Sequence, residues 1–154
     1  MSPLEFYSKL FSVLNVKVTN GVKAPHKAIM LFSIIELFEY DYLKSNIIPF
    51  DDVIDKTFKK NWNRYVIGKE KFNHFSPNTW TPFWHLKKEA FWHLVPLPGF
   101  TIVDIESLSP TKTPSRSQMM SKIKHVKLDD NLYMLLKDTY SRELLKRVLL
   151  ETYT

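Results

Sequence analysis

Residues 23–38 read KAPHKAIMLFSIIELF, and this stretch contains the longest apolar run of the chain. Pro25 suits the first turn of a helix, and only Ser33 and Glu36 interrupt the apolar run that follows. A helix that is apolar on nearly all sides must be covered by neighbours on all sides. The run is shorter than the ~20 residues that a membrane span needs. We therefore predict a central core helix around which the rest of the chain folds.

The segments on either side have the patterns of further helices. Ser2 is the expected N-cap of a helix in which apolar residues recur with a helical period as far as Leu14. Residues 51–66 begin with acids and predict another helix, and residues 129–153 predict two more. We expect the α+β class: a mainly helical single domain over residues 1–154 with a small antiparallel β-hairpin or sheet.

The β element is predicted from a repeated tetrapeptide. In PFWHLKKEAFWHL, residues 82–94, the letters FWHL occur twice, eight residues apart. Two antiparallel strands that share one alternation would explain the repeat, with the turn at KKEA and Trp84 opposite His93. A short β-like run is also expected after a turn in LVPLPGFTIVDI, residues 94–105. SKIKHVK, residues 121–127, alternates as a strand does.

The positive charge of the chain is unevenly distributed. The formal net charge is +6, and residues 6–35, 71–88 and 107–128 contain lysines but no Asp or Glu. The acids gather instead in residues 36–55 and towards the C-terminus. Such segregation predicts a basic face that binds a polyanion.

Two groups of residues are candidates for contacts with that polyanion. His26 and Lys27 stand at the start of the core helix, where the positive end of the helix dipole disfavours cations. This mismatch favours an anion bound at the free amides of the same helix end. The second group forms the expected rim of a ligand site on an exposed strand edge: Thr81, Pro82, His85, Lys87 and Lys88.

Other function classes lack their signatures in this sequence. There is no cysteine, no phosphate-binding glycine loop and no GxSxG motif, and the five histidines lack metal-ligand spacing. The N-terminus does not read as a signal peptide. We therefore expect no catalysis by the chain itself, no metal, no cofactor and no membrane partner, and we predict a cytoplasmic protein.

Three pieces of the sequence together resemble one family. KAPHKAIMLFSIIELF is similar to the segment that opens the N-terminal domain of many bacterial HNH restriction endonucleases. TPFWHLKKEAFWHL, residues 81–94, resembles the "YPFWxLxxDGLW" hairpin of that family, and RELLKRVLLETY, residues 142–153, resembles its closing helix. The pieces share one order over nearly the whole chain. The family includes the sulfur-binding domain of modification-dependent (type IV) restriction enzymes.

The resemblance implies a DNA-binding specificity module that recognises phosphorothioate DNA, in which sulfur replaces a non-bridging phosphate oxygen. It puts the sulfur pocket at Thr81 and Pro82, with His85 further along the wall. The phosphate contacts that it implies are His26, Lys27 and Arg116. Thr81 stands where the family has a tyrosine, and KKEA replaces a turn that contains glycine. The implied partners are double-stranded DNA and a separately encoded nuclease, since we expect no nuclease domain in this chain.

Two alternatives belong to other classes of protein. A protein-interaction module would use the exposed aromatic side chains of the hairpin as hot spots, and its binding would depend little on salt. A small nuclease in its own right would cleave only with a metal ion, and a chelator would stop the cleavage.

Overall fold

A computed structural model describes residues 1–109 and 112–154 of the chain. The helices are α1 (Pro3–Ser12), α2 (His26–Glu39), α3 (Asp52–Tyr65), α4 (Trp80–His85), α5 (Ile102–Glu106), α6 (Arg116–Met120), α7 (Asp130–Leu136) and α8 (Thr139–Tyr153). The strands are β1 (Val18–Thr19), β2 (Val22–Lys23), β3 (Ile47–Ile48), β4 (Trp92–Pro96) and β5 (Ile123–Leu128). Two 3-10 turns lie at Glu70–Phe72 and Leu86–Lys88. The predicted class, mainly helical α+β with a small antiparallel sheet, is confirmed.

Helix α2 is the centre of the core, as its apolar sequence predicts. Every side chain from Lys27 to Phe38 is buried, and α3, α4, α7 and α8 pack against the helix. Pro25 occupies the N-cap position and makes no side-chain cap. The amides of the first turn therefore keep the partial positive charge of a helix N-terminus.

The two polar side chains that interrupt α2 join it to α3. The Ser33 hydroxyl donates to the carbonyl oxygen of Ile29 at 2.7 Å. The Asn61 amide donates to Ser33 Oγ at 3.0 Å and to Glu36 Oε1 at 2.7 Å. Because a buried polar group costs stability unless it is hydrogen-bonded, these bonds favour one register of α3 on α2.

The first and last helices pack together on the same core. Ser2 caps α1 as predicted, since its side chain accepts from the Glu5 amide at 3.2 Å. At the end of α8, Tyr153 donates to the Phe11 carbonyl at 2.7 Å and accepts from the Leu14 amide at 2.8 Å. This one buried phenol fixes the point where the chain leaves α1 towards β1.

The main sheet has the strand order β3-β5-β4, with antiparallel neighbours. The strand predicted in residues 121–127 is confirmed as β5. It buries Ile123 and Val126 and exposes Lys124 and Lys127. The charged side of this strand therefore faces solvent, and its apolar side faces the core.

The hairpin predicted for residues 82–94 is wrong. The first FWHL lies in α4 and the 3-10 turn that follows it, whereas the second FWHL leads into β4, which pairs with β5. Pro82 falls in the first turn of α4, where a residue without an N–H is tolerated. The Trp92 indole donates to the Phe83 carbonyl at 3.0 Å, so helix and strand pack together without pairing.

The β-like run predicted after the turn at Gly99 is also wrong, because these residues form α5. Thr101 Oγ1 accepts from the Asp104 amide at 3.3 Å, and Asp104 Oδ2 accepts from the Thr101 amide at 2.8 Å. This capping box starts a helix in spite of the β-branched Ile102 and Val103. Local capping outweighs strand propensity here.

Candidate functional site

An open cleft of about 660 Å³ lies beside the N-terminal end of α2. It lies between this helix end, α4, the chain from the end of α1 into β1, and the loop before α4. Its lining consists of Asn15, Val16, Lys17, Thr19, Ala24, His26, Lys27, His74, Phe75, Thr81, Pro82, His85 and Lys88. Lysine and histidine are the only ionisable residues in that lining, so the cleft suits an anion.

The cleft brings together six of the eight predicted site residues: His26, Lys27, Thr81, Pro82, His85 and Lys88. The other two lie outside it. The Lys87 ammonium sits over the Trp84 ring, 4.8 Å from its centroid. The Arg116 guanidinium stacks on the Trp80 ring at 4.6 Å and lies 3.3 Å from Asp52 Oδ1.

The Lys27 side chain is buried at the floor of the cleft and already has its partners. Its Nζ lies 2.6 Å from Glu89 Oε2 and 2.6 Å from the carbonyl oxygen of Asn15. Burial lowers the pKa of Lys27, and the bond to Glu89 opposes that shift. The Glu89 carboxylate balances the charge of Lys27, which would otherwise be unfavourable at the positive end of the α2 dipole. Lys27 is therefore a residue that holds its neighbours in place.

The His26 ring is held in one orientation. Its Nε2 lies 2.9 Å from the Ser76 carbonyl oxygen, which only accepts, so this nitrogen carries the proton. The ring centroid lies 4.7 Å from that of Trp62 and 5.6 Å from that of Phe75. Burial lowers the pKa of His26, which disfavours the charged imidazolium in the cleft lining.

Helix α4 presents Thr81, Pro82 and His85 to the cleft, which is the spacing of one helical face. His85 Nε2 lies 2.9 Å from Thr113 Oγ1. Burial lowers the pKa of His85, and the neighbouring Lys88 adds to the shift. A neutral, hydrogen-bonded imidazole beside a buried proline gives this wall a mainly apolar character.

The remaining lining residues were missed by the sequence prediction: Asn15, Val16, Lys17, Thr19, Ala24, His74 and Phe75. A turn with positive φ at Asn20 and Gly21 and a short β1–β2 ladder return the chain to α2. The distribution of charge is the sequence signal that could have identified these residues, because the whole lining falls within the acid-free stretches 6–35 and 71–88. The fold joins those two stretches at the cleft.

The aromatic residues of the two FWHL segments do not form an exposed surface. Phe83, Trp84, Phe91 and Trp92 are all buried, with at most 2% of their surface exposed. The protein-interaction alternative therefore loses the aromatic hairpin on which it rested.

Two further properties concern residues 1–109 and 112–154. Within them, no three His, Asp or Glu side chains lie close enough together to hold a metal ion. In the same part of the chain, none of the helices combines the length and apolarity needed to cross a membrane.

Comparison with protein-family models gives no match to this chain, and a search of curated proteins gives none either. The interpretation of the cleft therefore depends on its geometry and chemistry.

Proposed function

We propose that the chain is the DNA-binding specificity module of a restriction-type system and that its cleft receives the DNA backbone. Phosphorothioate DNA is the modified form that the module would read. Double-stranded DNA and a separately encoded nuclease are its partners in this proposal. The cytoplasm, where DNA and nuclease meet in a bacterial cell, is the location that the proposal requires.

The observation that carries the proposal is the acid-free lining of the cleft. Lys17 and Lys88 are exposed at its edge and have no salt-bridge partner among the described residues. Lysines that neutralise phosphates release counterions, so they give affinity for any DNA sequence. The unpaired amides at the start of α2 add a partial positive charge to the same place.

The part of the lining formed by His26, Lys27, Pro82 and His85 favours a weak hydrogen-bond acceptor. The Lys27 ammonium is engaged by Glu89, and both His26 and His85 have hydrogen-bond partners in the protein. Pro82 offers no donor. A phosphate oxygen that entered here would lose hydrogen bonds to water, whereas the larger and more polarisable sulfur would lose less.

Fluorescence anisotropy with two duplexes of identical sequence, one with a single phosphorothioate, tests the proposal. We expect tighter binding to the modified duplex at every salt concentration. If about six phosphates are neutralised, the slope of log K against log salt is about −5. A flat salt response would contradict the DNA-binding role, and equal binding to both duplexes would contradict the reading of sulfur.

Matched variants separate the two parts of the proposal. Lys88→Ala should make the slope shallower by about 1, whereas Lys44→Ala, at an exposed lysine in the loop between α2 and β3, should leave it unchanged. Pro82→Glu should remove the preference for sulfur, because it puts a carboxylate into the wall of the cleft. Pro98→Glu is the control at an exposed turn, and circular dichroism checks that each variant is folded.

A further inference from the structure

We infer that the cleft takes up one whole nucleotide of the DNA, rotated out of the base stack, and not only a backbone group at its edge. This inference rests on the proposed function and names the ligand of the same site. Enzymes and readers that need full access to a base extrude it from the duplex into a fitted pocket.

The first support is the size of the cleft. Its 660 Å³ lies in the middle of the range of roughly 300–1,000 Å³ that pockets for small organic ligands occupy. A phosphorothioate group has only a few heavy atoms and would leave most of this space empty. A sugar and base attached to that group would occupy more of it.

The second support is a group of flat rings in the lining. The rings of His74 and Phe75 have centroids 4.0 Å apart and planes inclined by 37°. The His26 ring meets Phe75 edge-on at 5.6 Å. Phe75 is half-buried and His74 is exposed, so both offer ring surface to a ligand. Stacking on aromatic side chains is how proteins hold unpaired bases.

The third support is a set of polar side chains that the fold does not use. The side-chain amide of Asn15 and the side-chain hydroxyls of Thr19 and Thr81 line the cleft. None of these three groups makes a hydrogen bond with the described part of the protein. An amide offers a donor and an acceptor side by side, which suits the edge of a base. The hydroxyls suit the same task or the sugar.

The backbone of Asn15 is fixed although its side chain is free. The Asn15 carbonyl accepts from Lys27 Nζ at 2.6 Å, and its amide N–H points to the Glu89 carboxylate at 3.3 and 3.4 Å. The buried ion pair thus holds the two peptide groups that flank the Cα atom of Asn15. We assign Lys27 and Glu89 as positioning residues for the group that reads the base.

A duplex with 2-aminopurine beside a single phosphorothioate tests the inference, since this base becomes more fluorescent when it leaves the stack. We expect fluorescence to rise on binding. A mismatch opposite the same nucleotide should tighten binding about tenfold, because the duplex then has less pairing to lose. Salt-sensitive duplex binding without either effect would overturn the inference and leave the proposed function standing. Absence of binding to every duplex would overturn both.

Free nucleotide distinguishes a DNA reader from a receptor for small molecules. We expect a nucleoside 5′-monophosphate to compete only at concentrations far above that of the duplex, because it lacks the neighbouring phosphates that reach Lys17 and Lys88. A nucleotide that bound more tightly than the duplex would overturn the assignment of DNA as the source of the ligand.

Asn15→Ala is the variant that the inference depends on. The side chain is exposed, so we expect the variant to fold normally. It should weaken binding of the mismatched duplex about tenfold and reduce the rise in fluorescence. Asn63→Ala, on an exposed position of α3 outside the cleft lining, is the matched control and should change neither. Equal behaviour of the two variants would overturn the role of Asn15.

Discussion

The two FWHL segments have the same four side chains and different structures. In the first, Phe83, Trp84 and His85 belong to α4, and the chain leaves the helix through the 3-10 turn. In the second, Trp92 and His93 begin β4. Both copies bury their Phe, Trp and Leu and leave the histidine as the least buried of the four. The buried set is thus common to the two copies, and the tertiary partners determine whether it forms a helix or a strand.

The two histidines show what the difference means for function. His85 is half-buried in the cleft wall, with lysines as its charged neighbours and Thr113 as its hydrogen-bond partner. His93 is exposed on the sheet, and its Nε2 lies 2.7 Å from Asp129 Oδ1. An anion can approach the first copy, whereas a carboxylate already occupies the approach to the second. Only the first copy therefore belongs to the candidate site.

The largest change in the free energy of unfolding that we predict comes from the contact between Trp92 of the second FWHL segment and Phe83 of the first. Trp92→Ala removes a fully buried indole that meets the Phe83 ring edge-on at 5.4 Å. It should lower the free energy of unfolding by about 3–5 kcal/mol, measured by chemical denaturation. Trp92→Phe keeps most of the apolar contact but leaves the Phe83 carbonyl without its donor. The loss of this hydrogen bond alone should lower the free energy of unfolding by ~1–3 kcal/mol.

Trp84→Phe is the matched control in the first copy. No hydrogen bond from its indole is present within the described residues, so this substitution changes the packing and the contact with the Lys87 ammonium but removes no hydrogen bond. If Trp84→Phe destabilises the protein as much as Trp92→Phe does, the bond between the two copies does not contribute to stability.

Helical periodicity was enough to predict α1, α3 and α8, because a period of 3.6 extends over many residues there, whereas α2 was predicted from its nearly continuous apolar run. The FWHL copies were not predictable in this way. Four residues are too few to separate a period of 3.6 from a period of 2, and the partners that decide are distant in sequence. Trp92 depends on β5, and Pro82 suits either a strand end or a first helical turn.

The candidate site was predicted in part for a reason that does not depend on the hairpin. Thr81, Pro82 and His85 share one face in α4, so they line the cleft although the predicted strand edge does not exist. The partner of Lys27 was not predictable, because Glu89 is 62 positions away in the sequence. Arg116 has no place in the lining, since Trp80 and Asp52 already hold its guanidinium.

The segment between the copies gives the second prediction. Glu89 is nearly buried, with 10% of its side chain exposed, and pairs with Lys27, which has 6% exposed. Glu89→Gln leaves a buried ammonium without its counter-charge and should lower the free energy of unfolding by about 3 kcal/mol. Glu106→Gln, at an exposed position of α5, is the control and should change it by less than about 0.5 kcal/mol.

A double variant separates the ion pair from the packing around it. Lys27→Met together with Glu89→Gln removes both charges, so its cost should be smaller than the sum of the two single costs. Additive costs, measured by denaturation of all four proteins, would mean that the two charges do not interact in the folded state.

The smallest predicted effect concerns the histidine that distinguishes the two copies. Burial, and next the charge of Lys88, hold the pKa of His85 below the ordinary value of about 6.5. As the pH falls through that ordinary value, the unfolded chain takes up a proton that the folded protein resists at His85. His85 therefore lowers the free energy of unfolding as the pH falls from neutral towards its folded pKa.

Titration of the imidazole by NMR should show a midpoint below 6.5, and Lys88→Gln should raise that midpoint. Lys44→Gln, which alters a lysine outside the cleft, should leave it unchanged. A midpoint at or above the ordinary value would mean that water reaches His85 freely, and the wall of the cleft would then favour phosphate over phosphorothioate.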